Sequence, residues 1–256
     1  MWRHILMVVG LLVLVLNGAC SSFDNTPKRL PVYLPSVSAT GEPAVTGNTL
    51  PLGDITGALV LINDTGFQKS APSLHPGTLQ NLGGYLQEEI QKQLPIQLSS
   101  VLYPDAVKPN GSADQYIQLA KDHGVPYLLL AILSSSEVEV SERLPLGGTQ
   151  GGGGGRGWLV GWRAENYARL ELALLEVQSG KLVVSKDGQA WAVLERLAVP
   201  MESNVYPVVR RSQTQPPIYP NSEGDAFDTL RWVSGQEAIA QAVMHLGEEW
   251  EKDKSS

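Results

Sequence analysis

Cysteine is all but missing from this 256-residue chain: Cys20 is the only one. An intrachain disulfide is excluded, so the fold has to rest on its apolar core. Histidine is scarce as well, at His4, His75, His123 and His245, and no two of them have metal-ligand spacing. There is no GxSxG elbow. Asp64 and Asp105 follow strand-like runs but read as ordinary acidic turn residues. The expectation is a non-enzymatic protein with no cofactor and no metal. Basic side chains are outnumbered, 19 Lys and Arg against 26 Asp and Glu, for a net charge of −7. That balance argues against nucleic acid as a partner and leaves no polybasic patch for anionic lipid. No apolar run reaches the roughly 20 residues of a membrane-spanning helix.

The longest apolar run lies at the N-terminus. Residues 1–20 read MWRHILMVVGLLVLVLNGAC, with Arg3 first, an apolar stretch over residues 5–16, then Gly18, Ala19 and Cys20. This is the pattern of an export signal. It resembles a bacterial lipoprotein signal, with Asn17 where a leucine is usual. The resemblance implies cleavage after residue 19 and lipidation of Cys20, with anchoring by several acyl chains. Ser21 in the next position implies an outer-membrane address, facing the periplasm.

Residues 20–53 contain Pro27, Pro31, Pro35, Pro43 and Pro51. Proline at that density disfavours helix and central strand, so the segment reads as an extended tether with a reach of up to roughly 110 Å. Order is expected over residues 54–251, with 252–256 as a tail. Residues 58–62 form a continuous apolar run ended by Asn63, Asp64 and Gly66, as in a buried strand. Leu79, Leu82, Leu86, Ile90 and Leu94 recur at helical spacing with Thr78 as a candidate N-cap, and Pro95 stops the helix. A short strand over 96–101 follows. A second helix, with Tyr116, Leu119 and Ala120 on one face, is opened by Ser112 and Gln115 and closed by Gly124. YLLLAIL at 127–133 reads as a central strand. Residues 167–177 alternate, with Ala168, Leu170, Leu172 and Leu174 opposite Arg169 and Glu171, and Ser179-Gly180-Lys181 turns into a strand over 182–194. Residues 200–224 read as a Pro-rich loop. Ser234 and Glu237 form a capping box for a last helix. The fold class is α/β (α+β): a mixed sheet flanked by about three helices.

Residues 137–167 read as an insertion in that fold. Its centre, LPLGGTQGGGGGRGWLVGW at 144–162, has five consecutive glycines. No helix-opening pattern or Gly-Lys-Ser/Thr ending follows, so it is not a phosphate loop. Val138, Val140, Leu144 and Leu146 share one face of the near flank, with Glu142 intruding. Trp158, Val160 and Trp162 share one face of the far flank. Each arm is about the 9 to 11 residues of a tilted membrane strand. Two readings stay open: a glycine-tipped β-hairpin that enters a bilayer, and an exposed hairpin that meets a partner protein.

The succession GALVLINDTGF, amphipathic helix, AKDHGVPYLLLAILSSSEVEVS, YARLELALLEVQSGKLVVS and terminal helix is similar to periplasmic domains of several bacterial envelope proteins. These are the curli secretion channel protein (CsgG), the lipoprotein activators of penicillin-binding proteins, and the N-terminal domain of TolB. Gly124-Val125-Pro126-Tyr127 and Val177-Gln178-Ser179-Gly180-Lys181 carry the resemblance. It implies a membrane hairpin at 137–167 that combines with those of other protomers into a barrel. The function expected is a lipid-anchored outer-membrane protein of envelope assembly or secretion, as an oligomeric channel component. The alternative is a monomeric periplasmic scaffold or activator docking to an envelope enzyme.

Overall fold

The computed structural model describes residues 26–35, 50–51, 53–104, 113–145, 157–199, 203–211 and 215–254. Cys20, Asp105, Ser112, Leu146 and the five glycines lie outside these residues. In chain order the elements are α1 (Leu30–Tyr33), β1 (Ile55–Asp64), α2 (Pro76–Gln93), β2 (Ile96–Leu102) and α3 (Ala113–Asp122), followed by β3 (Tyr127–Pro145), β4 (Trp158–Glu176), β5 (Leu182–Leu197), β6 (Val208–Arg210) and α4 (Glu223–Lys254). This is the expected mixed α/β architecture, with three long helices and one single turn.

The six strands make one sheet in the order β2-β1-β3-β4-β5-β6. β2, β1 and β3 are mutually parallel, linked by crossovers through α2 and α3. From β3 to β6 the pairing is antiparallel. Gly180, at φ +70°, makes the turn between β4 and β5, and Gly124, at φ +65°, ends α3.

Both sheet faces are covered where the strands are apolar throughout. On one face Leu59, Leu61, Leu129, Ala131, Leu170 and Leu172 pack under α2 and α4 through Leu82, Leu86, Ile239 and Val243. On the other, Val60, Leu128, Leu130 and Ala173 pack under α3 and α1. Cover on both sides explains the unbroken apolar runs of β1 and the first half of β3. Each leucine so buried contributes about 1.5–3 kcal/mol. Among the described residues no helix is long and apolar enough to cross a membrane.

Three local expectations are corrected. α2 starts at Pro76, capped by the His75 ring, which accepts from Gly77 N–H at 3.3 Å, rather than at Thr78. α4 begins eleven residues before Ser234, on the order of three turns: Ser222 Oγ caps it by accepting from Asp225 N–H at 3.2 Å. Ser234 is instead a buried mid-helix residue, its hydroxyl on Asn166 Oδ1 at 2.7 Å. The expected loop at 200–224 contains β6 and the first two residues of α4.

The Pro-rich segment is the largest departure. Residues 26–35 are docked on the sheet, with Leu30, Tyr33 and Leu34 buried in the α3-side core. Proline sits at the first turn of α1, where no N–H is needed. A tether reading therefore fails for this stretch.

Candidate interaction site

The docked segment meets several polar groups of the face it covers. Arg169 and Glu171, read from alternation as the polar side of β4, are both buried. Glu171 Oε2 accepts the Leu30 N–H at 3.1 Å and also the Arg29 N–H. The Arg29 guanidinium pairs with buried Asp64, donates to Gly66 O at 3.1 Å and lies over the Phe67 ring. Arg169 meets Asp187 at 3.1 Å. Thr26 Oγ1 donates to Tyr167 O at 2.6 Å. Burial raises the Glu171 carboxyl above its ordinary value despite the two N–H donors. Burial and the Asp64 charge push the Tyr33 hydroxyl up to about 12. Asp64 is thus a structural carboxylate inside a docked seam. His245 likewise spends its Nδ1 on Asp187 O, at 2.7 Å. Among the described residues no group of His, Cys, Asp and Glu is placed to hold a metal.

The insertion is built as the far halves of β3 and β4, paired without a break from Tyr127–Glu176 to Pro145–Trp158. The arms are therefore present; the glycine tip and Leu146 fall outside the described residues. Register decides what the arms can meet. Val138 stands opposite Glu165, Val140 opposite Arg163, Glu142 opposite Gly161 and Leu144 opposite Leu159. Directly opposed residues share a face. Val138 and Val140 are thus on the α3 side with Arg163 and Glu165. Trp158, Val160 and Trp162 are on the α4 side with Pro145, Arg143 and Ser141. The two rows, Val138 with Val140 and Trp158 with Val160 and Trp162, lie on opposite faces of the hairpin.

Burial separates the expected site residues further. Val138 and Val140 are about half exposed; Trp158 and Val160 are 67% and 71% exposed. Leu144 is 1% exposed, in a small core with Leu197, Tyr206 and Val208. It fits because of Gly161, where an added Cβ would stand 2.3 Å from Leu144 Cδ1. Leu144 is a packing residue and faces neither lipid nor partner. Trp162 lies beside Arg196, whose guanidinium is 5.9 Å from its ring and is bonded to Glu139 at 2.8 and 3.0 Å. Arg231 on α4 grips Glu137 at the arm's base, at 2.9 and 3.0 Å. The roles of Arg196, Arg231 and Tyr206 have no signal in the sequence, since each depends on strands far apart in the chain. The arm is consequently braced by β5 and α4 along most of its length, and the side chains of Trp158 and Val160 are exposed at its end.

No protein-family model matches the sequence, and no curated protein matches it. Among solved structures, the chain is similar to a putative neuraminyllactose-binding hemagglutinin homolog from Helicobacter pylori, at 11% identity and a TM-score of 0.41, covering 84% of this chain and 98% of that one. It is also similar to the PelC dodecamer from Paraburkholderia phytofirmans, at 12% identity and a TM-score of 0.30, covering 77% and 94%. A DUF330 protein from Xanthomonas campestris matches at 10% identity and a TM-score of 0.30, covering 83% and 97%.

Proposed function

We propose that the chain is a non-catalytic, lipid-anchored protein of the bacterial outer membrane that faces the periplasm and docks the end of its β3–β4 arm on another envelope protein. The anchor rests on the export-signal pattern ending at Cys20. The observation that carries the docking reading is the exposure of Trp158 and Val160 at the end of a braced arm. Tryptophan is a preferred anchor of protein interfaces, and a rigid support lowers the entropic cost of using it.

The register favours docking over a bilayer hairpin in the manner of a secretion channel. One face of the arm carries Glu142, Arg163 and Glu165, and the other Glu139 and Arg143. A basic residue at the midplane of a lipid-facing strand costs about 2–4 kcal/mol. Neither face is suited to lipid, and β5 already occupies the outer edge of β4 as far as Gly161.

Two variants test the two halves of the reading. Cys20→Ser is expected to move the protein from the membrane to the soluble fraction; retention after that change overturns the anchor. Photo-crosslinking from position 160 in cells is expected to yield one discrete envelope-protein adduct, lost with Trp158→Ser. Crosslinks to lipid alone would overturn docking.

A further inference from the structure

Among the described residues the outer edge of β3 has an opening of defined length. β1 pairs with β3 only as far as Ser134. Ser70 then bridges Ser136, and Ala71 N–H donates to Ser135 O at 2.7 Å. That bond shows that Ser135 directs its main-chain groups away from β4. Antiparallel pairing alternates, so Glu137, Glu139, Ser141 and Arg143 also point theirs outward, and the even-numbered residues point theirs to β4. At the far end Pro145 has no N–H to offer, and its carbonyl accepts from the Tyr206 hydroxyl at 2.9 Å. Between these closures, nothing among the described residues meets the outward N–H and C=O of Glu139, Ser141 and Arg143. The edge of β2 is treated differently: Gln87 and Gln91 both donate to Leu98 O, at 3.1 and 3.2 Å.

We propose that a second copy of this chain pairs with this edge, antiparallel, about a twofold axis through Ser141. The axis makes the sheet continuous across both copies, with Glu139, Ser141 and Arg143 each exchanging main-chain hydrogen bonds with the other chain. The order of charges selects the register. An axis at Ser141 sets Glu139 opposite the second copy's Arg143, twice by symmetry. Arg143 is exposed and has no ion pair within its own chain among the described residues. An axis at Glu139 or Glu142 opposes like charges, which destabilises a sheet pair. An axis at Val140 sets Leu144 of the second copy against Ser136, where Ser70 already lies. An axis between two residues would oppose an outward residue to an inward one and form no ladder. An unprotected edge is a template for another strand, and a self-complementary one closes at two copies.

The pairing uses the arm of the proposed docking reading but not its end, and it needs no anchor. The test is size-exclusion chromatography with light scattering on the full chain in mild detergent. The wild type is expected to be a dimer. Ser141→Pro removes an outward N–H while leaving the β4 ladder intact, and is expected to be a folded monomer whose melting temperature no longer depends on protein concentration. Arg143→Glu and Glu139→Arg should each weaken association by about tenfold or more, and mixing the two variants should restore a heterodimer. Trp158→Ser should leave the dimer untouched, so loss of partner crosslinking and loss of pairing are read separately. A monomeric wild type, a larger ring, a Ser141→Pro dimer, or failure of the mixed variants to pair would each overturn the proposal.

Discussion

The two halves of β3 run in one continuous strand against the same neighbour, yet they are held in different ways. From Tyr127 to Leu133 both faces are covered, one by α2 and α4 and the other by α1 and α3. From Glu137 onward the strand is paired, among the described residues, on one edge only, and its side chains make ion pairs: Glu137 with Arg231, Glu139 with Arg196, Glu142 with Arg163. The Glu137–Arg231 pair, at the base, is largely covered, whereas the partly exposed pairs of Glu139 and Glu142 contribute about 1 kcal/mol or less each. The near half therefore supplies the stability of the sheet, and the far half presents a surface at little cost to it.

That contrast fails if substitutions in the two halves cost the same. Leu130→Ala, in the near half, should destabilise by about 4 kcal/mol, as a cavity in a closed core does. Val140→Ala, on the same face of the same strand, should stay within about 0.5 kcal/mol. Chemical denaturation of both measures the ratio, and equal losses would mean that the arm is part of the cooperative core.

The docked segment sharpens the contrast, because it partners the buried carboxylates beside the near half, Asp64 on β1 and Glu171 on β4. Arg29→Ala leaves Asp64, 2% exposed, without its guanidinium. Removing one partner of a buried pair costs about 3 kcal/mol or more. The expected result is a lower melting temperature together with faster proteolysis at residues 26–35. Asp64→Asn added to Arg29→Ala should recover part of the loss.

What can be read from the sequence follows how local each signal is. The apolar run of β1, the spacing of Leu82, Leu86 and Ile90 in α2, and the Gly180 turn are fixed within a few residues of chain, and all are found where expected. The N-cap expected at Ser234 is misplaced because its pattern also fits a helix interior, where the hydroxyl turns to Asn166 on β4. Residues 26–35 read as a free tether because proline density reports on backbone preference. It says nothing of the buried Asp64 and Glu171 that draw Arg29 and Leu30 onto the sheet. Within each arm the alternation is legible, and Val138 with Val140, or Trp158 with Val160, do share a face. Whether the two rows share a face depends on register, and a one-residue slip inverts it. With a glycine-rich stretch between the arms, no turn chemistry in the sequence fixes that choice.

Glu171 gives a smaller effect with a definite sign. Its folded carboxyl titrates above the ordinary value because it is buried. Between the ordinary value and the raised one, the native state holds more protons than the unfolded state. Its contribution to stability is therefore greatest at low pH, falls as pH rises through that window, and is flat above it. Glu171→Gln keeps an oxygen for the Arg29 and Leu30 N–H groups and removes the titration. Melting curves across acid to neutral pH should show the variant lacking this decline and more stable than the wild type at neutral pH. A parallel pH dependence in both proteins would mean that the carboxyl is not strained by its burial.

The smallest expected effect on stability is at the arm's end. Val160 is 71% exposed, and Ala198 N–H bonds to its main-chain carbonyl at 3.0 Å. Val160→Ser keeps that bond and gives up no buried contact, so its stability should match the wild type within about 0.5 kcal/mol. If the end of the arm is a docking surface, the same change weakens capture of the crosslinked partner by about tenfold, since an interface anchor is worth more than about 1 kcal/mol. Stability and capture then separate, as they must if the far half exists to present a surface. A fall in melting temperature would mean that Val160 contributes to the fold, and the arm's end would belong to the fold rather than to a partner.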